Sequence, residues 1–239
     1  FKLSKAQHKV ALEELKTHGH KNLILTGYTK IDRLQTVKKN YLINLRENLN
    51  LDTNKKTVLY APSFYPSSIE KIFPYLIEVS RDFNVIIKLH AFRWEQKKYH
   101  HQSTLFLKLS KGNNNIFLLQ NDVYDIIPYY LLSDILVTDI SSTMFEYLPL
   151  DRPIIQAECY SLKTKHRILQ KRFWKKMDLK RQQETDFVYN IKDPEDLLSR
   201  VYFAIENSDD MSALRKSACE HYLYKTDGLA SYRLVDALE

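Results

Sequence analysis

A chain of 239 residues with 44% hydrophobic and 12% aromatic residues carries enough apolar side chain to bury a sizeable core, which excludes a disordered or fibrous protein. Four glycines and seven prolines leave little linker, and no apolar run approaches the roughly 20 residues that cross a bilayer. The net charge of +7 is local: residues 163–183 hold nine Lys or Arg against one Asp, while the rest of the chain is nearly balanced.

The first twenty residues carry charges and no apolar block, so no leader peptide is expected, and a start at Phe1 reads as part of a longer protein. Strand-like runs then follow at Leu23–Thr26, Val58–Ala61, Val85–Leu89, Ile116–Leu119, Ile135–Thr138 and Ile154–Gln156. Between the second and third, Ile69–Asp82 sets Ile69, Ile72, Phe73, Leu76, Ile77 and Val79 at helical spacing. From Pro194 to Leu238 the pattern is helical only. Strands apolar throughout, alternating with helices, predict a Rossmann-like parallel sheet with helices on both faces, one domain over residues 1–239. Cys159 and Cys219 form no CxxC pair, which points to a reducing compartment, with cytoplasm as the expected location, and away from structural zinc.

In such a sheet ligands sit beyond the carboxyl ends of the strands, where strand order reverses. The residues to search are therefore Gly27-Tyr28, Pro62-Ser63, His90, Asn121-Asp122 and Asp139 to Thr143. The last group lies in "SDILVTDISSTMFEYLPLDRPII" (133–155), where a strand ends in an acid and three hydroxyls. Thr143-Met144-Phe145-Glu146 fits a capping box, with Ser142 or Ser141 as the other possible cap. In either register a helix N-terminus points at the strand end and offers unpaired amides to an anion, with phosphate the natural guest. Plain capping uses the same residues, and both readings stay open. Asp139 is not needed for capping and suits a hydroxyl, a ribose or a loop amide. His90 ends the strand "NVIIKLHAF"; it serves as a base, a phosphate donor or a structural histidine.

There is no GxxxxGK[ST], GxGxxG or GxSxG, so P-loop NTPases, typical dinucleotide dehydrogenases and serine hydrolases with a nucleophile elbow are unsupported. No HExxH or similar spacing occurs, and neither a metal site nor a cofactor is expected. The basic run 163–183 reads as a solvated surface or as a contact for a polyanion or anionic membrane, where each Lys or Arg gains about 1 kcal/mol. Phe173 and Trp174 within it either insert at that interface or pack inward. No nucleic-acid motif accompanies the run, and nucleic acid is not an expected partner.

Five segments, in order, resemble the carboxyl-terminal half of the CDP-glycerol glycerophosphotransferase family, the bacterial teichoic-acid polymerases of GT-B architecture. "LTGYTKIDRL" (25–34) is similar to its Thr-Gly-x-x-x-x-Asp-x-Leu opening, "VLYAPSF" (58–64) to a Tyr-Ala-Pro-Thr strand end, and "IIKLHA" (86–91) to Lys-Leu-His-Pro. "YYLLSDILVTDISSTMFEYLPLDRPII" (129–155) resembles Leu-Leu-x-x-Ser-Asp-x-Leu-Ile-Thr-Asp-Tyr-Ser-Ser, and "TDGLASYRLVDAL" (226–238) the closing Asp-Gly-x-Ala-Ser-x-Arg. Departures are Ala91 for Pro, Ser63 for Thr, Tyr65 where Arg is frequent, and Ile140 for Tyr.

The resemblance implies a two-domain transferase that moves a polyol phosphate from CDP-glycerol or a similar donor to an anionic wall or capsule polymer, at the inner face of the membrane. An acceptor hydroxyl attacks the β-phosphorus and CMP leaves. This half would hold the donor: Ser141 and Ser142 on the diphosphate, Ser63 and Thr143 among the substrate-binding residues, Asp139 on the loop or a donor hydroxyl, and His90 facing the reacting phosphate. Asp227 and Arg233 would lie near the same edge. The acceptor half lies outside these residues, so this chain alone is expected to bind donor without turnover. Two other readings share the pattern: a GT-B glycosyltransferase or epimerase-like protein using a nucleotide sugar, and a non-catalytic module working through 163–183.

Overall fold

The computed structural model describes residues 5, 6, 16, 17, 19, 24–176 and 185–238. Strands β1 (Lys5–Ala6) and β2 (Ile24–Leu25) form a short parallel pair. The main sheet contains β3 (Thr57–Tyr60), β4 (Asn84–Ile87), β5 (Ile116–Leu118), β6 (Ile135–Thr138), β7 (Ile154–Ala157) and β8 (Tyr189–Ile191), all parallel, in the order β5-β4-β3-β6-β7-β8.

The period-2 geometry of a strand sorts its side chains into two layers. Val58 and Tyr60, Val85 and Ile87, Ile135 and Val137, and Ile155 face one core, under helices Ile69–Ile72, Leu76–Asp82, His100–Lys111 and Leu197–Glu206. Leu59, Ile86, Leu136 and Ile154 face the other, under helices Ile127–Leu132, Thr143–Tyr147 and Ser212–Leu223. Strands β3, β4, β6 and β7 are buried along their whole length, which is why their sequences read as unbroken apolar runs.

Three elements differ from the sequence expectation. The predicted strand at Leu23–Thr26 stands outside the main sheet, its described part pairing with Lys5–Ala6. The sixth strand is instead β8, an edge strand whose middle residue, Asn190, is exposed and masks the apolar signal. The helix expected over 69–82 is split by a 3-10 turn at Phe73–Tyr75, because Pro74 lacks the amide that an unbroken helix would need.

Candidate functional site at the switch in strand order

Chain order reverses between β3 and β6, and in such sheets the ligand crevice lies at the carboxyl ends of the two strands that flank the switch. Its floor is Asp139, fully buried directly after β6. The carboxylate accepts the amides of Ser63 and Ser68 (2.9 Å) and the Ser68 hydroxyl (3.1 Å) from the loop after β3. With its single proton directed to Asp139, Ser68 Oγ must accept from the Tyr60 hydroxyl at 2.9 Å. Burial pushes the Asp139 carboxyl up, against the pull of these hydrogen bonds. Asp139 therefore clamps one loop to the other, and its oxygens are turned to protein donors.

The hydroxyls predicted beside it have different duties. The Ser63 hydroxyl donates to the Pro66 carbonyl at 2.6 Å and closes its own loop. Thr138 Oγ1 donates to the Ala61 carbonyl (2.7 Å), so the Thr143 hydroxyl, 2.9 Å away, must donate to Thr138. Ser141 Oγ accepts the Thr143 amide at 3.3 Å, which leaves its proton for a ligand. Ser142 is exposed and reaches Glu146 Oε1 at 3.3 Å.

The expected capping box is not formed. The helix runs Thr143–Tyr147 with Ser142 at its cap, and Glu146 turns inward instead of back to the first turn. It accepts from the hydroxyls of Tyr28 (3.0 Å) and Tyr130 (2.8 Å) and pairs with Lys30 at 2.6 Å. Those partners lie 116 to 118 residues away for Lys30 and Tyr28, beyond any local rule. Glu146 thereby fixes the segment 28–32 against the serine-bearing turn.

Lys30 and Lys88, the latter directly after β4 and two residues before His90, belong to no motif that marks them as ligand-binding. Lys88 is half-buried, its ammonium donates to the Leu89 carbonyl at 3.3 Å, and burial followed by repulsion from Lys30 lowers its pKa. Two ammonium groups thus feel each other at one strand edge, and their only sequence signal was their place inside the quoted segments 25–34 and 86–91.

His90 is exposed past β4, with ring contacts to Phe64 (5.6 Å) and Phe92 (4.9 Å). Its Nδ1 accepts the Phe92 amide at 3.2 Å, which puts the proton of the neutral ring on Nε2. Burial, then the charges of Lys88 and Arg93, push its pKa down, so the ring is neutral at pH 7. In this tautomer it offers a donor and no base.

Asp227 and Arg233 are joined to each other by two 2.9 Å hydrogen bonds, and Arg233 Nε also donates to the Thr26 carbonyl at 2.8 Å. They clasp the C-terminal segment onto the turn at Gly27, whose φ of +86° disfavours any side chain and where an added Cβ would meet Ala230 Cβ and the Lys225 carbonyl at a tight 3.3 Å. Asp32 completes the clasp by accepting the amides of Ala230 (3.1 Å) and Ser231 (2.7 Å). The structure thus brings Ser63, Asp139, Ser141, Ser142 and Thr143 to one crevice, sets His90 beside it, and engages Asp227 and Arg233 in a neighbouring clasp.

The sequence profile of the CDP-glycerol:poly(glycerophosphate) glycerophosphotransferase family matches residues 4–239. The chain belongs to this family. Among curated members, the teichoic acid poly(glycerol phosphate) polymerase of Bacillus spizizenii is 30% identical over 145 residues, 56% of this chain and 34% of that protein. The polymerase of Staphylococcus epidermidis is 32% identical over 130 residues, 53% of this chain and 18% of its own length. The chain therefore spans about a third or less of the length of these relatives. The wall teichoic acid polymerase TagF superposes on 97% of the chain and 55% of its own with a TM-score of 0.70 at 20% identity. The UDP-GlcNAc 2-epimerase of Neisseria meningitidis does so on 98% and 60%, TM-score 0.61, at 16% identity. At such identities the agreement is one of fold, a Rossmann-like GT-B half, and the family profile alone separates the two chemistries.

Of the basic segment, residues 177–183 lie outside the described part. Within 163–176, Phe173 packs on His166 (4.4 Å, stacked) and on Tyr65 (5.8 Å), and Trp174 on Tyr160 (5.6 Å). The exposed apolar residues of this segment are Ile168 and Leu169, at 78% and 46%. Among the described residues no helix is long and apolar enough to cross a membrane.

Proposed function

We propose that this chain is the donor-holding half of a transferase that moves glycerol phosphate from CDP-glycerol to a wall-polymer hydroxyl. The observation that carries the reading is the switch point itself: there the Ser141 hydroxyl has an uncommitted proton, and the half-buried Lys88 ammonium has no ion-pair partner among the described residues, while its neighbour Lys30 is paired with Glu146. Membership of the glycerophosphotransferase family supports the choice of donor.

In this mechanism Ser141 and Ser142 hold the diphosphate, and Asp139 keeps both loops in place without touching it. The acceptor oxygen attacks the β-phosphorus, the phosphoanhydride P–O bond breaks, and its electron pair leaves on CMP. Lys30, Lys88 and the Ser142 amide, the one N–H of the 141–143 turn not already bonded within it, stabilise the charge that develops on the leaving phosphate. His90 donates from Nε2 to an oxygen of the transferred phosphate, and the proton of the attacking hydroxyl leaves through another group. Anionic membrane contact through 163–183 is part of the proposal, supported by exposed Ile168 and Leu169 set among Lys165, Arg167 and Lys171.

The test is calorimetric titration of the chain with CDP-glycerol, CDP-ribitol, CMP and UDP-sugars. Preference for cytidine diphosphates supports the reading; preference for uridine compounds moves the protein to nucleotide-sugar chemistry, since 2-epimerases share its fold. His90→Ala is expected to leave donor affinity within about twofold and to abolish transfer in the full enzyme.

A further inference from the structure

Beside the crevice, the loop at Tyr65–Ile69, helix His100–Lys111 and residues 161–163 enclose a cavity of about 110 Å³. Arg93 lines it at 2% exposure. Its guanidinium donates to Gln102 Oε1 and the Phe64 carbonyl and lies over the rings of Tyr99 (4.6 Å) and Phe64 (5.6 Å). Its Nε has no hydrogen-bond partner, and among the described residues Arg93 forms no ion pair. The carboxylates that act on it through space are engaged elsewhere: Asp139 with Ser63 and Ser68, and Glu70, at the cavity rim, with Gln102 at 3.0 Å. A guanidinium this buried is ordinarily matched by an anion.

Tyr99, 6% exposed, lines the same cavity, and its buried hydroxyl is a second group without a partner. Lys163 stands at the mouth, its ammonium 4.7 Å from the Tyr65 ring and 5.5 Å from that of Tyr99. The Tyr65 hydroxyl holds this loop by accepting the Lys163 amide at 3.1 Å and bonding His166 Nδ1 at 2.6 Å. The unpartnered buried atoms are both donors, and the lining carries two formal positive charges, Arg93 and Lys163, against the single negative charge of Glu70, in a space large enough for a tetrahedral oxyanion.

We propose that this cavity is an oxyanion site for a phosphate or phosphodiester group, held by Arg93 Nε, the Tyr99 hydroxyl and the Lys163 ammonium. It is separate from the crevice at Ser141–Thr143 and stands whether or not that crevice holds CDP-glycerol.

Selenate is the probe, located by anomalous diffraction in crystals of the chain and titrated in solution. The expected result is a peak within hydrogen-bond distance of Arg93 Nε and Tyr99 Oη, and an affinity about threefold to tenfold weaker in Tyr99→Phe and in Lys163→Ala, both melting as the parent does. Tyr99→Phe is isosteric and Lys163 is exposed, so neither variant endangers the fold as a change at buried Arg93 would. Displacement by glycerophosphoglycerol and not by CDP-glycerol assigns the site to a phosphodiester of a polymer; displacement by CDP-glycerol would make the cavity part of the donor site and overturn its separateness. A cavity without selenate, an affinity unchanged in both variants, or a selenate that neither compound displaces overturns the proposal.

Discussion

At the amino edge of the sheet, the Asn84 carboxamide accepts the Asp52 amide (3.1 Å) and donates to the carbonyls of Asp52 (2.9 Å) and Lys55 (3.2 Å). The Asp134 carboxylate takes the Thr57 amide at 2.8 Å and the Lys56 ammonium at 3.1 Å. The carboxyl edge is finished otherwise. Among the described residues six buried side-chain N or O atoms have no partner, and five of them, on Arg93, Trp94, Tyr99, Asn121 and Gln156, belong to residues at or past the carboxyl ends of β4, β5 and β7. Each such atom costs about 1–3 kcal/mol, so stability alone would not gather them on one edge. One edge is closed by protein groups; the other keeps four buried donors and one buried acceptor without a protein partner among the described residues.

The comparison is broken most severely from the amino side. Asn84→Ala strips one acceptor and two donors from fully buried surroundings, and the expected loss is about 3 kcal/mol, a fall of about 6–12 °C in melting temperature. Affinity of the folded protein for CDP-glycerol should stay within about twofold, since no atom of the crevice moves. A variant that binds weakly yet melts normally would show that the edges are not separable. On the carboxyl side, Ser141→Ala with Ser142→Ala is expected to weaken nucleotide-diphosphate binding about tenfold, near 1.4 kcal/mol, with melting unchanged to about 1 °C. Titration calorimetry beside a melting curve separates a ligand contact from a helix cap, which would give the opposite pair of results.

The two edges also differ in how much of them the sequence shows. Strands β3, β4, β6 and β7 are legible because burial on both faces forces apolar residues at every position, whereas β8 at the sheet edge exposes Asn190 and loses the signal. The serine turn is legible because hydroxyls after a strand and before a helix are locally encoded. Glu146 is misread for the converse reason: capping-box spacing is local, while the groups that capture the carboxylate, Lys30, Tyr28 and Tyr130, arrive through the tertiary fold. The same holds for Lys88 and Arg93, ordinary cations in the sequence that are half-buried and buried, respectively, without an ion pair among the described residues.

Lys88 sharpens the comparison with a smaller effect and an opposite sign on stability. Burial and Lys30 lower its pKa, so folding disfavours the charged ammonium; the penalty is fully present at pH 7 and is relieved as pH rises past the lowered value. Lys88→Met keeps the apolar stem and removes the charge, and it should raise the melting temperature at pH 7 by about 1–3 °C, fading toward pH 10. Donor binding should weaken about fivefold, because an anion seated between Lys30 and Lys88 turns a repulsion into two attractions. The same reasoning requires the Lys88 pKa to rise on binding, so the parent protein takes up a proton with its ligand in alkaline buffer and Lys88→Met does not. Calorimetry near pH 9.5 in buffers of different ionisation enthalpy reads that proton directly. Equal heats in all buffers for the parent would place the anion away from Lys88, and with it the proposed position of the diphosphate.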